Sequence, residues 1–230
     1  MLKSGGKIWL SVFVLIVVAL YCCTSGNTVR TYNCESSNDS VLNPDSSYMF
    51  DGETLEGWEI TNFGPQGPVY VSGGSIILGM GEGCTGITWK GNFPETDYRV
   101  TLEAKRVSGN DFFCGITFPV GKESCSLIIG GWGGPVVGLS SIDRKDASEN
   151  ETTRLMQFES DNWYKICFTV TGDTIKASID DDLIVDFVKG DKTLSIRPEV
   201  ELSKPFGIAS WNTTAALRNI QLEKFGKQEF

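Results

Sequence analysis

The chain has no histidine at all, and that absence excludes more chemistry than any motif supplies. Histidine is the commonest general base near neutral pH, the middle member of Ser-His-Asp and Cys-His systems, and the nitrogen ligand of many zinc sites. Also missing is any C-x-x-C pair among the seven cysteines, Cys22, Cys23, Cys34, Cys84, Cys114, Cys125 and Cys167, which excludes a zinc ribbon. Basic residues are too few and too scattered to bind a polyanion. The 20 Lys and Arg are set against 29 Asp and Glu, for a formal charge of −9, so nucleic acid is not an expected partner. From residue 48 onward helical periodicity is lacking, as is any repeat that would signal a solenoid or propeller.

What is present begins with Lys3 and Lys7 ahead of an uncharged apolar run over residues 8–21. Two cations before such a run match the n-region and h-region of an export signal, and the run is slightly short for a comfortable membrane-spanning helix of ~20 residues. Cys22 or Cys23 would serve as a lipid-attachment cysteine, although Tyr21 is a poor residue before it. Thr24, Ser25 and Gly26 would suit an ordinary signal peptidase. The third fate is an uncleaved N-terminal hydrophobic helix. Each predicts an extracytoplasmic protein, whether secreted, periplasmic or held at the membrane, with membrane contact through the N-terminus only. Residues 1–23 therefore read as signal or anchor, 24–47 as a polar linker rich in Ser, Asn, Asp and Thr, 48–225 as the folded domain and 226–230 as a tail.

Within the domain the period is two. Tyr98, Val100, Leu102 and Ala104 alternate with Arg99, Thr101, Glu103 and Lys105, the pattern of a half-buried strand. From Trp163 a meander follows, with Tyr164, Ile166, Phe168 and Val170 inward, a turn at Gly172 and Asp173, then Ile175, Ala177 and Ile179 inward. A second turn is expected at Asp181 and Asp182, before Leu183, Val185 and Phe187. About a dozen short strands with Gly-rich turns and no crossover helices predict an all-β sandwich, two packed antiparallel sheets of jelly-roll type. Cys114 and Cys125 flank a hairpin at Pro119, Val120 and Gly121, which makes them a candidate disulfide; single buried thiols are the alternative.

The segment from Phe50 through Asp51, Gly52, Glu53, Thr54, Leu55, Glu56 and Gly57 to Trp58 resembles the opening of the 3-keto-disaccharide hydrolase domain family. Gly115 and Ile116, Trp163 and Tyr164, and Arg218, Asn219 and Ile220 follow in the order that family shows. The resemblance implies a concanavalin A-like (laminarinase-like) jelly roll, often exported or lipid-anchored in bacteria such as planctomycetes, with members that hydrolyse 3-keto glycosides. The chain is similar to a divergent member. Phe113 and Cys114 stand where the family carries Asn-Ser, Thr117 and Phe118 stand where an Arg usually follows, and Ala209, Ser210, Trp211 and Asn212 occupy a region that usually holds Gln and His. Catalytic residues are therefore not carried across.

Candidate chemistry rests on the residues themselves. Arg197, Glu199 and Glu201 alternate with Ile196, Pro198, Val200 and Leu202, which predicts a strand projecting one guanidinium and two carboxylates from one face, either as acid and base of a glycosidase or as a solvated face. Trp132, between Gly130, Gly131, Gly133 and Gly134, could stack on a sugar or fill the core, and Trp211 is open to the same two readings. Asp143 and Asp146, in an acidic loop with Glu149, Asn150 and Glu151, are candidate sugar-binding groups. That loop offers oxygen ligands to calcium, without EF-hand spacing, so no cofactor is expected. The expected function is an exported carbohydrate-active protein acting on a carbohydrate or glycoside. It would be a glycoside hydrolase using Glu199 and Glu201, with Trp132, Asp143, Asp146, Arg197 and Trp211 binding substrate; the alternative is a non-catalytic carbohydrate-binding or envelope-interaction module on the same sandwich.

Overall fold

In the computed structural model, which describes residues 46–226, period-two patterning becomes two antiparallel sheets. One runs β13 (Asp182–Val188), β12 (Thr174–Ile179), β11 (Tyr164–Thr171), β6 (Tyr98–Gly109), β15 (Thr213–Lys224), β4 (Ser75–Leu78), β3 (Val69–Ser72), with β1 (Ser46–Tyr48) paired to the far end of β15. The other runs β10 (Arg154–Leu155), β9 (Val136–Ser140), β8 (Glu123–Gly131), β7 (Cys114–Val120), β14 (Gly207–Trp211), β5 (Cys84–Trp89), β2 (Trp58–Ile60). The chain passes repeatedly from one sheet to the other, as in a jelly roll. Among the described residues the one helical element is a 3-10 turn, Pro198–Ser203. The expected N-terminal signal or anchor, most of the expected linker and the tail beyond residue 226 lie outside the described residues. Ser46 and Ser47, read from sequence as the end of the linker, pair with Glu223 and Leu222.

The inward positions of the two sheets meet in one core. Phe168 of β11 and Phe118 of β7, both fully buried, face each other with ring centroids 4.5 Å apart, and Tyr98 closes on Phe168 edge to face at 6.1 Å. The Tyr98 hydroxyl, also buried, donates to the Pro119 carbonyl at 2.6 Å, as a polar group out of water must. On β6 the inward alternation runs through Tyr98, Val100, Leu102 and Ala104 and then continues onto Arg106, only 6% exposed.

The structure corrects three sequence expectations. The turn after β12 is Asp180–Asp181, both with positive φ, and Asp182 is already in β13, paired with Ile179. Cys114 and Cys125 are free buried thiols. Their hairpin pairs Val120 with Glu123, a register that sets Cys114 opposite Ile129 and Cys125 opposite Phe118; four residues of strand separate the two levels, about 13 Å, beyond a disulfide's reach. Cys167 of β11 is also buried, and is disulfide-bonded. Finally, 197–202 is not a strand. Pro198 cannot donate to a sheet ladder and instead opens the 3-10 turn, with the Val200 N–H donating to the Arg197 carbonyl at 3.1 Å.

Candidate functional site

The outward face of the seven-stranded sheet carries a trough because its central side chains are small. Following the strand pairings from β9 to β5, one outward row reads Ser140, Ser126, Thr117, Gly207, Thr88, and the next reads Gly138, Ile128, Gly115, Ala209, Gly86. The 3-10 turn packs on one side of this floor: a methyl at Gly207 would come within 2.7 Å of the Ser203 carbonyl. On the other side the ring of Phe112 lies over Gly115, 2.9 Å from where a Cβ would be. Between them is a cleft of about 230 Å³ lined by Trp132, Trp211, Phe112, Asp111, Arg197 and Glu199, with Cys84, Ser126, Ile128, Ser140 and Val200 at its base. That volume is below the roughly 300–1,000 Å³ of drug-sized sites and suits one small ring rather than a chain.

Trp132 owes its place to a tight turn. Trp132 and Gly133 have φ of 51° and 81°, and the Gly134 N–H donates to the Gly131 carbonyl at 3.1 Å, the geometry of a type I′ turn. A bulky residue in the left-handed region is strained by ~1 kcal/mol or more and persists where its surroundings over-determine it. Two groups do so here. The Asp111 carboxylate accepts the Gly133 N–H at 3.2 Å as well as the Phe112 N–H at 2.7 Å. Behind the turn, one terminal nitrogen of the buried Arg106 guanidinium donates to the carbonyls of Gly130, Gly134 and Asp111 at 3.2–3.3 Å; the other donates to Phe158 at 3.4 Å. Trp132 is left 40% exposed at the cleft.

The electrostatics centre on Arg197. Its side chain pairs with Glu199 through two nitrogens, at 2.8 and 3.3 Å, and with Asp146 through the third. The guanidinium holds the Glu199 carboxyl below its ordinary value of 4.5. A carboxyl lowered in the folded state contributes stability that is complete above its unfolded value and is lost as pH falls through the folded one. Thermal stability is therefore expected to hold from neutral pH to about 5 and to fall below about 4.5, with a shallower decline in Glu199→Gln. Melting curves across that range check both. Cys84 is driven the opposite way: burial, reinforced by the nearby Glu199 charge, pushes its thiol up to about 12, so it meets the cleft as a neutral group.

Of the residues singled out from sequence, Trp132, Trp211, Arg197 and Glu199 meet in the cleft, with Asp146 behind Arg197. Glu201 does not join them. On a 3-10 turn of three residues per turn, positions two apart point about 240° apart, and Glu201 pairs instead with Lys204 at 2.7 Å. The face shared by Glu199 and Glu201 that a strand would give is thus absent. Asp143 is also elsewhere, accepting the Thr193 N–H at 2.9 Å. The acidic loop's oxygens are engaged one by one: Glu151 with Lys192, Asp146 with Arg197, and Asn150 with the N–H and hydroxyl of Thr152. Among the described residues no three metal-ligating side chains converge.

Sequence reasoning missed Asp111, Phe112, Cys84, Ser126 and Ser140. A usable signal existed for Ser126 and Ser140, which are small polar residues between inward Cys125, Leu127 and Leu139 on neighbouring strands. None existed for Asp111, an ordinary loop residue until tertiary pairing places it. Phe113 and Cys114, at the level where the family's polar pair is replaced, are both fully buried, and Cys114 faces the core, so the change there lies behind the cleft floor rather than on it.

Fold and cleft together define a two-sheet jelly-roll domain with a small aromatic-lined cleft on one outer face. The chain belongs to the family of 3-keto-alpha-glucoside-1,2-lyase-like domains, whose profile matches residues 45–223. No curated protein matches the chain in sequence. Solved structures share the fold. The carbohydrate-binding module CBM66 from Bacillus subtilis aligns over 77% of this chain and 100% of its own, at 16% identity and a TM-score of 0.52. A putative glycosyl hydrolase from Parabacteroides distasonis aligns over 82% and 100%, at 13% and 0.53. The Crh5 transglycosylase in complex with NAG aligns over 79% and 85%, at 12% and 0.57.

Proposed function

We propose that this chain is an exported carbohydrate-binding domain whose cleft holds a single sugar ring against Trp132 and Trp211. The observation that carries this reading is the pairing of two tryptophans with polar groups in a ring-sized cleft from which the second candidate carboxylate, Glu201, is turned away. Apolar sugar faces stack on aromatic rings while their hydroxyls seek carboxylates and amides. Hydrolysis by a carboxylate pair needs one acid kept protonated near neutral pH and a partner across the bond. Glu199 is instead held ionised by Arg197, and Glu201 is occupied by Lys204. Titrating the purified protein with glycans by calorimetry is expected to give binding that Trp132→Ala reduces by about tenfold, on the ~0.5–1.5 kcal/mol that aromatic ring contacts contribute beyond area burial, while Glu201→Gln leaves it unchanged. A Trp132→Ala protein that binds as well as the parent would remove this reading.

A second reading is favoured by the family match and by the ionised Glu199 inside the cleft. Removing the proton beside the ketone of a 3-keto glycoside takes one ionised base, not a carboxylate pair. Turnover of a 3-keto glucoside that disappears in both Glu199→Gln and Asp111→Asn would support this activity; no turnover by the parent protein would leave the binding function alone.

A further inference from the structure

We infer that the cleft selects a sugar bearing a protonated amine over its neutral and acidic counterparts, an assignment that rests on the sugar-cleft reading above. The aromatic lining is threefold, with Trp132, Phe112 and Trp211, and the Phe112 and Trp211 rings lie 6.4 Å apart at a 33° tilt. Electron-rich ring faces attract a cation, most strongly when it is partly desolvated. The charged groups among them bias the same way. Asp111 spends one lone pair of each oxygen on a backbone N–H and keeps the others for a ligand donor. Glu199 is ionised.

Among the described residues that line the cleft the one cation, Arg197, is already matched. Each of the three nitrogens of Arg197 donates to a carboxylate, on Asp146 or Glu199, so its single charge is offset by two carboxylates, with two of its five N–H groups left over. The other nearby cation, Arg106, is buried behind the Trp132 turn with its terminal nitrogens committed to four carbonyls. Cys84 contributes a neutral thiol. A ligand ammonium would therefore meet two carboxylates and ring faces, a neutral hydroxyl would meet the same acceptors with less attraction, and a uronate would meet like charge beside a cation already offset by Asp146 and Glu199.

Calorimetric titration of the purified protein with glucosamine, glucose, N-acetylglucosamine and glucuronate, at low salt and mildly acidic pH, tests this. Glucosamine is expected to bind about tenfold more tightly than glucose or N-acetylglucosamine, with glucuronate weakest. The glucosamine-to-glucose affinity ratio should fall about fivefold in Glu199→Gln and again in Asp111→Asn, whatever happens to the absolute affinities. Glucose binding as tightly as glucosamine, or a ratio untouched in both variants, would overturn the amine preference and leave the sugar cleft standing. Silence with all four sugars would overturn both.

Discussion

Replacing Arg106 by methionine is expected to lower the unfolding free energy by about 3 kcal/mol and to weaken sugar binding at the same time. Methionine fills comparable space but leaves the carbonyls of Asp111, Gly130, Gly134 and Phe158 without the donors they now share. A buried acceptor left unpaired costs ~1–3 kcal/mol; the Gly130 carbonyl is buried and those of Asp111, Gly134 and Phe158 are part-buried. Two things moderate the sum: the bonds are long, at 3.2–3.4 Å, and deleting a buried guanidinium recovers its own desolvation cost. The functional effect has a separate cause. Gly130 and Gly134 bracket the turn that holds Trp132 at positive φ, and Asp111 grips the same turn from the front. With Arg106 gone that turn is free to relax, and affinity for a sugar should drop about tenfold even where the fold survives. Arg106→Lys separates the parts, because it keeps the charge but not the planar fork; it should recover part of the stability and little of the binding. Urea melts followed by tryptophan fluorescence, paired with sugar titrations, measure both. A methionine variant as stable as the parent would show that the carbonyls find other partners.

Phe168→Ala should cost about 4 kcal/mol, within the range for emptying a phenylalanine site in a packed interior. Phe168 is fully buried between Phe118 and Tyr98, where the two sheets face each other. These ring neighbours stand on two different strands, β7 and β6, in opposite sheets, so the cavity cannot close by one side chain turning. For a domain of this size the loss corresponds to about 10 °C in melting temperature. Phe168→Leu, which restores most of the volume, should cost about 1 kcal/mol. Sugar binding should persist in both variants below their melting points, because Phe168 lies between the sheets and the cleft lies outside them. Loss of binding in the leucine variant would mean that core and cleft are coupled.

The sandwich was legible in the sequence because strands advertise themselves by alternation, and Tyr98 to Ala104 and Tyr164 to Val170 have the inward faces expected. Alternation ranks residue types, however, not burial. It stops at Ala104 because the next inward residue is an arginine, and nothing local says that the carbonyls of Gly130, Gly134 and Phe158, 24 to 52 residues away, will meet it. The same rule misread 197–202, where charged and apolar residues do alternate; a strand also needs a partner ladder, and with Pro198 unable to donate, the segment closes into a 3-10 turn. The disulfide expectation failed on a point that could have been counted. A two-residue turn at Gly121 and Lys122 already sets Cys125 against Phe118. Trp132 and Trp211 stood out by type, whereas Asp111 and Phe112 gain meaning only when the loop after β6 is brought against the β8–β9 turn.

The pairing of Ser46 with Glu223 has a mechanical consequence. Entry and exit of the folded unit leave side by side from the eight-stranded sheet, while the cleft opens from the outer face of the other. Whatever is joined at either end is attached at one pole, and the binding face looks away from it.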